Sequence, residues 1–243
     1  MLHLQMGYDA RAPNYTQEVS ARPDKIHQID ITNKFYFENL RQFLSNRQIE
    51  YLDVGCADGV RTKYFFDKLN DFCTVVRLEG LDYSRELVKL AQSVLGKENV
   101  VWGDITNLSY DANFYLITCM YSVLGHLPED MIQTAFDNLW ASLRDGGHLC
   151  VDVIAKDPQF LERYGYDRAT ENSGDYLAYF VSVDGKPLTN VDGKPIVFTQ
   201  RMSTPAEMRR YARRAGFGIV AEKEVTAIES GVDEMEYALV LQK

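Results

Sequence analysis

No apolar run in the chain approaches the roughly 18 residues needed to cross a bilayer, so a membrane-spanning role is not expected. Basic residues are in deficit. The 26 Lys and Arg stand against 35 Asp and Glu, and a net charge of −9 argues against a nucleic-acid surface, which needs a concentrated basic patch. The opening residues, Met1 to Met6, lack the charged segment and long apolar stretch of a secretory signal, so none is expected. Cysteine is sparse and unpatterned: Cys56, Cys73, Cys119 and Cys150 show no CxxC spacing and sit in or beside apolar stretches. They read as reduced core thiols of a cytoplasmic protein, not as a disulfide framework or a zinc site. There is no HxE with CxxC and no nucleophile elbow, so metal-dependent or covalent catalysis has no support and no metal site is expected. An Asn/Asp-Pro-Pro-aromatic clamp for a flipped base is also missing.

What is there fits one α/β domain of 243 residues with room for an insertion. The stretch Tyr51-Leu52-Asp53-Val54-Gly55-Cys56-Ala57-Asp58-Gly59-Val60 organises it. Ile49 to Val54 is mostly apolar, as a parallel strand covered on both faces would be. Gly55 and Gly59 bracket a turn where glycine permits positive φ and close approach of a ligand. Apolar residues at Val60, Tyr64, Phe65 and Leu69 then follow a helical spacing. Strand, turn and helix make a nucleotide-type cradle, and the charges decide its occupant. A pyrophosphate would be repelled by Asp53 and Asp58. A cationic ligand without phosphate is favoured instead, and S-adenosylmethionine, with a sulfonium and an ammonium, is such a ligand.

A second strand, Thr74 to Leu81, ends in Asp82-Tyr83, with Ser84 placed to cap the next helix. Asp82 lies 23 residues beyond Gly59, where a carboxylate can accept ribose hydroxyls. After the short strand Val100 to Trp102, Asp104 can accept an adenine amine and Ile105 can face the ring; an Asp after Gly also serves simple turns. Phe114 to Met120 reads as strand four. It leads into a loop at the carboxyl edge, Tyr121 to Pro128, followed by a helix over Glu129 to Leu143. Gly146-Gly147 turns into strand five, His148 to Ile154. The alternation predicts a doubly wound, Rossmann-like and mainly parallel sheet. Cys56, Cys119 and Met120 would lie near the cofactor.

Residues 155–202 break the alternation with a predicted hairpin, Tyr176 to Val183 and Ile196 to Met202, joined through two Asp-Gly-Lys-Pro turns. This excursion could cover the site, with Tyr166, Tyr176 and Tyr179 lining a substrate chamber. It could equally be a subunit contact, which leaves a homo-oligomer open. Thr204-Pro205-Ala206-Glu207 starts the last helix with a capping box, and Gly216 stops it. Strands over Phe217 to Ile228 and Met235 to Leu241 close a seven-stranded sheet with its last strand antiparallel. At the other end, residues 1–33 are polar and poorly periodic. They form either a helical lid, with Tyr15 near substrate, or a disordered tail ahead of a domain spanning 34–243. Phe35 to Leu44 reads as a helix.

With these residues in place the chain resembles the class I S-adenosylmethionine-dependent methyltransferases over nearly its whole length. Leu52 to Gly59 resembles their first motif, with Ala57 where many members have glycine; Gly80-Leu81-Asp82-Tyr83-Ser84 is similar to their ribose-binding strand end. The turn Leu143 to Gly147 and the ending Ala215-Gly216-Phe217 also fit. A narrower likeness, to the glycine/sarcosine N-methyltransferase group, is carried by Ile117 to Pro128 with its His-Leu-Pro ending and by the β excursion. Ser122 replaces an amide that contacts substrate in that group, and Ile154 stands near its carboxylate-binding arginine. Glycine is therefore not the expected acceptor, and only the reaction type carries over. The resemblance implies direct methyl transfer to a small molecule, with nitrogen ahead of oxygen. His126 could be a base, as an O-methyltransferase would need, or a substrate partner, or a structural histidine capping the next helix. Tyr121 and Ser122 are placed to touch substrate or the cofactor's methionine end. A non-catalytic cofactor-binding module is the remote alternative.

Overall fold

The computed structural model describes residues 2–155, 175–179, 189, 193–226 and 235–243. Three helices open the chain: α1 (Leu2–Arg11), α2 (Tyr15–Ser20) and α3 (Pro23–Leu44). Among the described residues the remaining helices are α4 (Val60–Leu69), α5 (Arg85–Leu95), α6 (Glu129–Ser142) and α7 (Pro205–Ala215). Seven strands share one open sheet: β1 (Gln48–Val54), β2 (Thr74–Asp82), β3 (Val100–Trp102), β4 (Phe114–Cys119), β5 (Leu143–Ile154), β8 (Gly218–Val225) and β9 (Glu236–Gln242). Their order is β3-β2-β1-β4-β5-β9-β8. All pairs from β3 to β5 are parallel, and β9 runs antiparallel to both neighbours. This is the expected doubly wound sheet. Reversal of the order between β1 and β4 leaves a crevice at the carboxyl ends of those strands, where ligands of such sheets bind.

Strand alternation sorts the core into two layers. On β5, Leu149 and Val151 face α6 and α7, whereas Cys150 faces α3 and α4; on β4, Ile117 and Leu116 divide the same way. Both faces are covered, so β1 is buried from Tyr51 to Val54 and β4 from Leu116 to Cys119. All four cysteines are buried free thiols. Among the described residues, no helix is long and apolar enough to cross a membrane.

The helix expected over Phe35 to Leu44 starts earlier, at Pro23, with proline in its first turn. Its buried face there is polar: Gln28, Thr32 and Asn33 are at most 1% exposed. Thr32 Oγ1 donates to Glu236 Oε1 at 2.6 Å, and Tyr36 Oη to Asp152 Oδ2 at 3.2 Å. A helix with a polar buried face has no apolar periodicity to find. The predicted hairpin is seen as β6 (Asp175–Tyr179) paired with β7 (Val197–Arg201), a separate two-stranded sheet in which Tyr176 opposes Gln200 and Tyr179 opposes Val197. Tyr166, the first Asp-Gly-Lys-Pro turn and the side chains of Tyr176 and Tyr179 lie outside the described residues.

Candidate active site

The turn after β1 is left-handed at three points: Gly55 (φ 82°), Ala57 (φ 49°) and Gly59 (φ 80°). A Cβ on Gly55 would meet Val123 Cγ2 at 2.3 Å, so only glycine lets this turn lie against the loop after β4. Ala57 holds its strained conformation while its N–H donates to Asp82 Oδ2 at 2.8 Å; the Ser84 N–H donates to Oδ1 at 2.8 Å. Each Asp82 oxygen therefore keeps a lone pair for a ligand hydroxyl. Burial lifts this carboxyl to about 6, with the two N–H bonds opposing the shift.

Asp53 is built differently. Its two oxygens accept the hydroxyls of Thr62 at 2.5 Å and Thr118 at 2.6 Å. Since Thr118 gives its proton to Asp53, the Tyr51 hydroxyl 2.9 Å away donates to Thr118 in turn. Asp53 thus ties β1 to α4 and β4, and its pKa is raised by burial against these hydroxyl bonds. Asp58 accepts the Val60 N–H at 3.1 Å and the Thr16 hydroxyl at 2.5 Å. Asp104 Oδ1 accepts both the N–H and the hydroxyl of Thr106, capping a short 3-10 turn, while its other oxygen makes neither bond.

These strand tips open on a cavity of about 450 Å³, within the range of small-molecule sites. Its wall brings together Asp53, Gly55, Cys56, Ala57, Asp82, Tyr83, Asp104, Ile105 and Met120 with Tyr15, Tyr121 and His126. Three expected residues are placed elsewhere. Gly59 packs on α5, where an added Cβ would lie 3.0 Å from Ala91 Cα. Cys119 is wholly buried in the core layer under α6. Ser122 turns its hydroxyl away from the cavity, accepting the Ile154 N–H at 3.3 Å and the Gln200 amide at 3.2 Å.

The loop after β4 is the most constrained part of the wall. Tyr121 (φ 63°) and Ser122 (φ 61°) are consecutive non-glycine residues in the left-handed region, a costly arrangement that clusters at functional sites. Asp152 holds it by accepting the Ser122 N–H at 2.8 Å, and the Tyr121 hydroxyl reaches Asn33 Oδ1 at 3.4 Å. His126 does not cap α6, whose N-cap is Pro128 with no side-chain bond. Its Nε2 lies 2.9 Å from the hydroxyl of Tyr8 in α1. Burial drives the imidazole down to about 4, with Arg11 adding to the fall, and drives the Tyr8 phenol up to about 12. At neutral pH a protonated phenol therefore faces a neutral imidazole.

The amino-terminal arm closes the cavity by contacts that its sequence does not announce. Tyr8 meets the loop after β4 and Thr16 the loop after β1. Asp9 meets the start of α5, its Oδ1 accepting the Ser84 hydroxyl at 2.6 Å and the Glu86 N–H at 3.1 Å. The arm supplies Tyr8, Arg11, Tyr15 and Thr16 to the wall. Only the richness in tyrosine hinted at this.

The residues present fit S-adenosylmethionine. Asp82 keeps acceptor capacity for hydroxyls, the first turn admits close approach, and the carboxylates share the wall of one cavity with Tyr8, Tyr121 and His126.

Residues 52–147 match a family described as a methyltransferase domain. Over 83 residues the chain is 31% identical to the dTDP-3-amino-3,6-dideoxy-alpha-D-glucopyranose N,N-dimethyltransferase of Streptomyces fradiae, a match covering 34% of this chain and 30% of that relative. Less than a third of that enzyme's length is therefore aligned. The fold is shared with the DhpI-SAM-HEP complex, at a TM-score of 0.64 and 17% identity over 98% of this chain and 95% of that one. It is shared also with the Burkholderia thailandensis 1,6-didemethyltoxoflavin-N1-methyltransferase with bound 1,6-didemethyltoxoflavin and S-adenosylhomocysteine, at a TM-score of 0.59 and 18% identity over 100% of this chain and 88% of that one.

Proposed function

We propose that this chain, whose residues 52–147 match a methyltransferase domain, is an S-adenosylmethionine-dependent enzyme that methylates a nitrogen of a small-molecule amine. The observation that carries the reading is the make-up of one cavity wall, where carboxylates at the tips of β1 and β2 meet a Tyr8–His126–Tyr121 group with no strong base. When bound, the donor supplies a methyl group already activated by its cationic sulfur.

The work left to the protein is positioning and exclusion of water, which supply up to roughly 7–11 kcal/mol in the best intramolecular cases. Asp82 holds the donor's ribose, the Gly55 turn lets it approach, and Ile105 and Tyr83 offer apolar faces to its base. The arm shuts out water through Tyr8, Asp9 and Thr16. Tyr121 and His126 orient the acceptor. A hydroxyl acceptor needs a base at the moment of attack, and an imidazole held near 4 and engaged by a phenol is a poor one. A neutral amine needs none. The N,N-dimethyltransferase relative and the N1-methyltransferase of like fold support the choice of nitrogen.

Incubation with methyl-labelled donor and a panel of amines, phenols and carboxylates tests this. Label is expected on an amine, with His126→Ala losing less than about tenfold in kcat. Label on a phenol or alcohol, with a loss of about a hundredfold or more in that variant, would replace the reading with O-methylation.

A further inference from the structure

The first turn of α4 carries a cation where a helix disfavours one. Arg61 is the second residue of that helix, which has no acidic residue in its first turn. Arg61 lines the cavity, is half-buried, and makes no ion pair or hydrogen bond among the described residues. Arg11, another cation on the wall, is answered by Glu18 at 2.7 Å. On either side of Arg61 the same helix presents Val60 and Tyr64 to the cavity, 42% and 39% exposed. An apolar and aromatic ledge with a cation between its members has no structural task, since nothing in the described fold covers the ledge or pairs the charge. Its position points away from the nucleobase end: the Arg61 charge bears on the Tyr121 phenol, opposing the burial that raises that group's pKa.

The geometry points to an anion subsite: Arg61, flanked by Val60 and Tyr64, takes a carboxylate or phosphoryl group of an acceptor whose apolar body lies on the ledge and whose nucleophile reaches Tyr121. This rests on the methyl-transfer reading and adds the acceptor's class, an amine that also bears an anion. A guanidinium suits either group, since its planar fork pairs with carboxylate and phosphate alike. The donor has a carboxylate of its own, so the test must separate the two anions.

The full chain, saturated with S-adenosylhomocysteine, is titrated calorimetrically with phenylacetate, phenylphosphonate and the neutral phenylacetamide. At least one anion is expected to bind about tenfold or more tighter than the amide, as a charge-assisted hydrogen bond provides. Whichever anion binds more tightly identifies the group. Arg61→Gln should erase the preference while leaving the S-adenosylhomocysteine Kd within about twofold, and Arg61→Lys should keep part of it. Arg61 has no partner to lose among the described residues, so the melting temperature of Arg61→Gln should match that of the parent. Equal binding of anions and amide would overturn the inference. So would an equal loss of S-adenosylhomocysteine affinity in Arg61→Gln, which would give the cation to the donor. Failure of the parent chain to bind S-adenosylhomocysteine at all would instead strike the methyl-transfer reading.

Discussion

The proposed donor and acceptor ends of the cavity are built on different plans. At the donor end, Asp53, Ala57 and Asp82 sit on adjacent strand tips, and their bonds run within one sheet crevice: Ala57 N–H to Asp82, Thr118 hydroxyl to Asp53. At the acceptor end, the strained Tyr121-Ser122 pair is held by β5 through Asp152, by β7 through Gln200 and by α3 through Asn33, while α1 reaches His126. Rigid parallel strands can present a ligand's shared part with few contacts. The variable part is enclosed by segments that pack on one another, so its shape follows from long-range contacts.

If the ends are separable, substitutions at each should move different constants. The largest effect is expected for Asp82→Ala, which leaves two backbone N–H groups unanswered and removes the hydroxyl acceptor; S-adenosylhomocysteine binding by calorimetry should weaken about a hundredfold or more. The same residue sets a pH dependence. With its pKa near 6 before ligand binds, only the ionised form can accept two N–H groups and two hydroxyls. Affinity should be full above that value and fall by up to about tenfold per unit as the pH drops below it. Affinity that stays flat between pH 7 and 5 would remove Asp82 from the donor contacts.

Next in size is Asp152→Ala, which strands the Ser122 N–H and releases the left-handed pair. A stability loss of about 2 kcal/mol in urea unfolding and a kcat at least about tenfold lower are expected, with donor affinity unchanged. Asp152→Asn still offers an oxygen to that N–H and should retain most activity. Equal losses of donor affinity in the Asp82 and Asp152 variants would dissolve the distinction between the ends. The smallest effect is Ala57→Gly, which relieves a left-handed alanine at φ 49°. A gain of up to about 1 kcal/mol, read as a slightly higher Tm with unchanged donor affinity, is expected; a lower Tm would show that the turn is not strained.

Local chemistry made much of this legible from the chain alone. Thr204 and Glu207 do form the capping box that opens α7, and Ser84 does accept the Leu87 N–H at the head of α5. The five parallel strands and the crevice residues Asp53, Asp82 and Asp104 follow from apolar runs that end in carboxylates. Residues 23–34 read as helical lid or disordered tail alike because their buried face sets the polar Gln28, Thr32 and Asn33 beside Ile29, and Thr32 finds its partner Glu236 at the far end of the chain. Cys119 and Ser122 lie at the end of β4 and in the loop after it, yet strand alternation sends Cys119 into the core and the left-handed turn sends the Ser122 hydroxyl toward β5 and β7.

Periodicity, caps and glycine turns act over a few residues, so residue order was enough to specify the sheet, its helices and the acidic rim of the crevice. Which side chains face one another across that crevice depends on contacts between distant segments, such as Tyr8 with His126, 118 positions apart. Those pairings carry no local signature, because the free energy that selects them comes from burying groups that meet only once the chain has packed.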